Sequence, residues 1–122
     1  MKLCIKLGPW AVNLFLWIIC LMPMSLHLPA PISRADLFYH GLSYALVTTA
    51  FLIGYSDKKL LICLGLILQG VAIEYIQPMT GRMFEFYDMI ANSAGVIFAM
   101  LLWPLFIERL KSALFKKFNL PS

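Results

Sequence analysis

Charge is what this chain has least of. Of 122 residues only 13% are Asp, Glu, Lys or Arg, against about 25% in an ordinary soluble domain. A disordered chain would be polar and charge-rich, so disorder is excluded. Cysteine is scarce as well. Cys4, Cys20 and Cys63 are odd in number and lack CxxC spacing, so they form no disulfide framework and are expected as buried or lipid-facing thiols. There is no Gly-rich phosphate loop, no HExxH and no nucleophile elbow. The basic residues give a net charge of +4, but they are dispersed among apolar runs rather than gathered in a patch, so no nucleic-acid partner is expected.

What the chain does have is apolar sequence. Hydrophobic residues make up 61% of it, and the mean hydropathy is +0.83. A soluble chain this short cannot hide so much apolar surface in one core, which excludes a soluble enzyme. The composition points to an all-α polytopic membrane protein, a bundle of transmembrane helices in contact with membrane lipids.

A spanning helix needs about 20 mostly apolar residues. Four such stretches occur, at about 9–28, 37–55, 60–76 and 89–107, and together they make residues 1–122 a single membrane domain. Pro9 suits the first turn of the first span, and Pro23 is placed to kink its far end. The opening sequence also has the basic start and apolar run of a signal peptide. Its length, and Pro31 directly after Ala30, favour a retained span. The connectors are short: PAPISRAD, SDKK and QPMTGRMFEFYD. The tail, 108–122, sets Arg109, Lys111, Lys116 and Lys117 among Leu, Phe and Ala, a pattern for a short amphipathic helix on an anionic leaflet.

Orientation follows from Lys and Arg. Lys2, Lys6, Lys58, Lys59, Arg109, Lys111, Lys116 and Lys117 fall on one side, and only Arg34 and Arg82 on the other. Both termini are therefore expected in the cytoplasm, and the loops around Arg34 and Arg82 outside.

The remaining polar residues gather at the outer end. Asp36, His40 and Tyr44 are four apart and stack on one face of the second span. Glu74 and Gln77 end the third. Glu85, Asp88, Asn92 and Gly95 form one stripe running into the fourth. Ionisable groups within spans are functional candidates by default. Asp36, His40, Tyr44, Glu74, Gln77, Arg82, Asp88 and Asn92 are thus the candidate ligand-binding set, at headgroup depth. Structural roles are expected beside this one. Asp36 and Asp88 suit helix N-caps, and Glu74 needs a partner, for which Arg82 and His40 are available. Gly95 and Ala99 suit close helix packing, Asn13 an interhelical hydrogen bond, and Trp10, Trp17 and Trp103 an interfacial or lipid-facing position. One histidine with carboxylates is a weak metal signal, so no metal or other cofactor is expected. Asp36 is spaced to orient His40 for acid–base work, yet no nucleophile accompanies them, which argues against an enzyme.

Taken in order, Asp36-x3-His40-x3-Tyr44, Glu74-x2-Gln77, Gly81-Arg82 and Glu85-x2-Asp88-x2-Ala91-Asn92-x2-Gly95 resemble the VanZ-like family over about residues 36–102. Two positions depart: Leu37 stands where the family has a basic residue, and Glu85 where it often has Asp. The family is named for a protein conferring low-level resistance to teicoplanin, a lipoglycopeptide acting at the outer leaflet. The resemblance implies a protein of the bacterial cytoplasmic membrane. Its expected ligand is a lipid headgroup, a lipid-linked envelope intermediate or a lipoglycopeptide. Two other classes fit the size: an accessory subunit with a membrane-protein partner, and a small multidrug exporter. The exporter class uses an acidic residue within the first span, and this chain has none there.

Overall fold

Where water is absent, backbone N–H and C=O groups can pair only with each other, and a long apolar segment closes those bonds within itself as a helix. The computed structural model describes residues 2–22 and 33–121, and over these the chain is all-α. Its long helices are α1 (Lys2–Leu21), α2 (Ser33–Gly54), α3 (Lys59–Ile76) and α4 (Phe86–Leu102). Four stretches are long and apolar enough to cross a membrane: Lys2–Leu21, Asp36–Gly54, Ser56–Thr80 and Phe86–Lys117. Single 3-10 turns, Ser56–Lys58 and Gln77–Thr80, flank α3. After α4 the helix widens into a π turn over Trp103–Ile107, then continues as α5 (Glu108–Lys117). Pro104 sits inside the π turn; it has no N–H to donate and its ring crowds the preceding turn, so the regular ladder opens there. The expected kink at Pro23, the stretch 23–28 of the first span, His27, Ala30 and Pro31 lie outside the described residues, as does the side chain of Arg34.

Burial departs from that of a soluble protein: polar side chains share the interior with an apolar core that includes Leu52, Ile73 and Val96, and large apolar side chains cover the outside. Leu60, Leu61, Leu64 and Leu68 on α3 and Ile97, Phe98 and Leu101 on α4 are exposed, while Thr48, Glu74, Gln77, Asp88 and Asn92 are buried. Apolar outside and polar inside is the arrangement a bilayer favours. Together with the four apolar helices, it makes this a multi-pass membrane protein.

The tightest packing joins α2 to α4. A Cβ built on Gly95 would stand 2.1 Å from the Gly41 carbonyl oxygen, so only glycine lets the two backbones meet. Ala99, one turn further along α4, is buried in the same seam. Both residues pack as their size suggests.

Three sequence expectations are corrected. Pro9 lies inside α1, which begins at Lys2. The Pro9 ring leaves the Ile5 carbonyl without its N–H partner, and that oxygen packs on Gly54, 2.8 Å from where a Cβ would stand. Lys6 Nζ donates to the Gly54 carbonyl at 2.6 Å and the Tyr55 hydroxyl to the Lys6 carbonyl at 2.9 Å, which holds the early turns in place. Trp103 is buried rather than lipid-facing, packed with Leu52, Ala99 and Ile107, and the Lys59 ammonium lies 5.1 Å from its ring centroid. Trp10, by contrast, is exposed, as expected. The third correction concerns the helix starts: α2 begins at Ser33, so Asp36 lies within its first turn, and Glu85, not Asp88, is the N-cap of α4.

Candidate functional site

The first turns of α2 and α4 meet at one end of the bundle because the Gly41–Gly95 contact holds the helices together just below. Asp88 is the third residue of α4, and its N–H donates to the Glu85 carbonyl at 3.1 Å. A carboxylate in a first turn also sits in the favourable field of the helix N-terminus. Between the two starts lies His40, one residue before Gly41. Its Nε2 is 3.3 Å from Asp88 Oδ2 and 4.0 Å from Asp36 Oδ1. Its Nδ1 donates to Asn92 Oδ1 at 3.0 Å, an amide oxygen being able only to accept. Asp36, His40 and Asp88 each offer a ligand atom, all within 4.8 Å of one another. The four-residue spacings of Asp36–His40 on α2 and Asp88–Asn92 on α4 thus converge as one group.

Glu74 enters from α3, fully buried. Its Oε2 accepts the Glu85 backbone N–H at 3.4 Å, and its Oε1 has no hydrogen-bond partner among the described residues. Neither Arg82 nor His40 forms an ion pair with it among the described residues, which corrects the pairing expected from the sequence. Arg82 turns instead to α1: its Nη1 donates to the Cys20 carbonyl at 2.9 Å, and Gln77 Nε2 donates to the same oxygen at 3.1 Å. The last carbonyls of a helix have no internal partner and carry its partial negative charge, so a guanidinium and an amide are apt donors there. Gln77 and Arg82 therefore tie the loop after α3 to the end of α1. Tyr44 is fully buried, and Gly70 lets α3 approach it: a Cβ there would stand 3.4 Å from the Tyr44 ring and 3.1 Å from Asn92.

A cavity of about 120 Å³ lies between α1 and α2, walled by Leu16 and Cys20 on α1, Asp36, His40, Ser43 and Tyr44 on α2, and Arg82. It has room for a small polar group. Of the candidate set, Asp36, His40, Tyr44 and Arg82 wall this cavity, Asp88 and Asn92 contact His40 from the α4 side, Glu74 lies on α3, and Gln77 braces α1.

Sequence reasoning missed the Cys20 carbonyl and the Glu85 N–H, because backbone groups carry no residue-type signal. It also missed Ser43 as a wall residue, although its spacing, three after His40, could have found it. Asn13 does hydrogen-bond between helices: with Gln69 it forms a two-way amide pair, at 2.9 and 2.8 Å.

Compared with known proteins, the chain matches no family model, no curated protein and no solved structure.

Proposed function

We infer that this protein binds the polar headgroup of a membrane lipid or lipid-linked envelope intermediate at the outer face of the bacterial cytoplasmic membrane. The observation that carries this reading is the convergence of Asp36, His40 and Arg82 on one small cavity at one end of a bundle whose outside is apolar. Groups that cost energy to hold within a membrane protein collect where a headgroup would reach them. The cavity admits a phosphate-sized or amine-sized group, not a whole lipid. Arg82 is partly exposed and suits a phosphate. The spacing shared with the VanZ-like family supports the same location and adds a teicoplanin-type lipoglycopeptide to the candidate ligands. Support for the orientation comes from the far end of the bundle. There Lys6 bonds the Gly54 carbonyl, Lys111 bonds Ser56, and Lys59 stacks on Trp103, all at the end the positive-inside rule assigns to the cytoplasm.

The test is native mass spectrometry of gently extracted protein. The wild type should retain a phosphorylated lipid, and Arg82→Ala and Asp36→Asn, both on the cavity wall, should lose it while their abundance stays near normal. A wild type that retains no lipid, or variants that retain it equally, would refute the reading. A stoichiometric protein partner in place of lipid would favour an accessory subunit instead.

A further inference from the structure

We propose that Asp36, His40 and Asp88 bind a divalent cation of the Zn²⁺ type at the head of α2 and α4. One imidazole and two carboxylates offer a mixed nitrogen–oxygen set, and their ligand atoms lie within 4.8 Å of one another. In a tetrahedral site with bonds of about 2.0–2.1 Å, neighbouring ligand atoms stand roughly 3.3 Å apart. His40 Nε2 and Asp88 Oδ2 already stand 3.3 Å apart. Asp36 Oδ1 stands 4.0 Å from Nε2 and the set spans up to 4.8 Å, so Asp36 has to close by about 0.7–1.5 Å to reach the tetrahedral spacing; its side chain is 40% exposed, which leaves it room to move.

Asn92 fixes the imidazole for this role. With Nδ1 hydrogen-bonded to Asn92 Oδ1, Nε2 faces the two carboxylates. A metal-binding histidine is oriented in the same way by an acceptor on its other nitrogen. An independent observation is a pair of buried carboxylate oxygens left without hydrogen-bond donors among the described residues. Among the described residues, Asp88 is 3% exposed with no donor to its Oδ1, and Glu74 is 0% exposed with none to its Oε1. Arg82, the nearby guanidinium, donates to the Cys20 carbonyl. Buried carboxylates are stable when paired or when they coordinate a metal. An imidazole ligand disfavours Mg²⁺ and Ca²⁺, the lack of a thiolate disfavours soft Cu⁺, and Zn²⁺ stands above Mn²⁺ and Fe²⁺ in intrinsic affinity. Three protein ligands leave a fourth position, and the cavity walled by Asp36, His40 and Arg82 lies beside it. There the cation would take a headgroup phosphate oxygen, a role that rests on the lipid reading above; cation binding itself does not.

Full-length protein in nanodiscs, stripped with chelator, is titrated with Zn²⁺ by calorimetry and with Co²⁺ by visible absorption. The wild type should bind one Zn²⁺ per chain, and Co²⁺ should give the bands of a four-coordinate site. His40→Gln should abolish both signals, Asp36→Asn should weaken binding at least about tenfold, and Asp57→Asn, at the other end of the bundle, should match the wild type. Asp36 is the variant least able to disturb folding, because its side chain is the most exposed of the three. Absence of binding by the folded wild type overturns the proposal and leaves the His40–Asp88 contact as helix packing alone. Equal affinity in Asp36→Asn and His40→Gln overturns it too. Retained lipid without Zn²⁺ binding would remove the cation alone; Zn²⁺ binding through these residues without retained lipid would remove the headgroup reading alone.

Discussion

Replacing Gly95 with alanine adds one methyl group at the point where α2 and α4 touch. The new Cβ would stand 2.1 Å from the Gly41 carbonyl oxygen, 2.9 Å from the Gly41 carbonyl carbon and 3.1 Å from the Ala45 nitrogen. All three are backbone atoms of α2, so no side chain can rotate away. Restoring ordinary contact at 3.4 Å asks the helices to part by about 1.3 Å along that direction. The His40–Asn92 hydrogen bond, 3.0 Å long, one residue from Gly41 on α2 and about one turn from Gly95 on α4, would then stretch past the limit of a hydrogen bond. Overpacking of this kind costs on the order of 1–3 kcal/mol, and the broken buried bond adds about 1 kcal/mol. The assay is reversible unfolding in mixed detergent micelles, with Gly65→Ala as control. Nothing lies within 4 Å of a Cβ at Gly65, so that change should be neutral or stabilise by up to about 1 kcal/mol. A Gly95→Ala protein as stable as Gly65→Ala would refute the close-contact account of the α2–α4 seam.

Three further outcomes are expected. Asn13→Ala and Gln69→Ala should each cost about 1 kcal/mol, and the double variant little more than either alone, because each single change strands the other amide; additive costs in the same unfolding assay would deny the pair. Trp103→Ala should destabilise by about 3–5 kcal/mol, as for a buried aromatic, whereas Trp10→Ala on the exposed face should cost much less; equal losses would deny the burial of Trp103. In a background without Cys4, Cys20 and Cys63, a membrane-impermeant thiol reagent should label intact cells at Met79→Cys and not at Asp57→Cys; the reverse pattern would invert the orientation.

The helices were legible because apolar length alone decides them in a membrane, and α3 differs from its expected start by a single residue. The Asp36–His40 and Asp88–Asn92 spacings were legible too, since residues four apart on a helix share a face whatever surrounds them. What the sequence hid depends on partners distant along the chain. Arg82 and Glu74 have opposite charge and suggest a pair, but the open carbonyl at the end of α1 takes the guanidinium. Trp103 sits near a helix end, where tryptophan usually meets the interface, yet the space beside Ala99 and Leu52 buries it. Pro9 looked like a helix start because its missing N–H costs nothing there. Inside α1 the cost falls on the Ile5 carbonyl, which packs against the Gly54 backbone. Asp36 and Asp88 look like caps in sequence; each lies inside its helix because α2 and α4 start a few residues earlier, at Ser33 and Phe86.

The central claim is that a lipid headgroup enters the cavity beside Asp36, His40 and Arg82. Site-specific photo-crosslinking tests it most directly. A photoreactive amino acid is placed at Ser43, on the cavity wall, and separately at Leu64, on the exposed face of α3. Mass spectrometry then reads which part of a co-purified lipid is attached. Ser43 should capture headgroup fragments, and lose them in an Arg82→Ala background, while Leu64 captures acyl chain alone. Acyl chain alone at Ser43, or headgroup capture that persists without Arg82, would contradict the account.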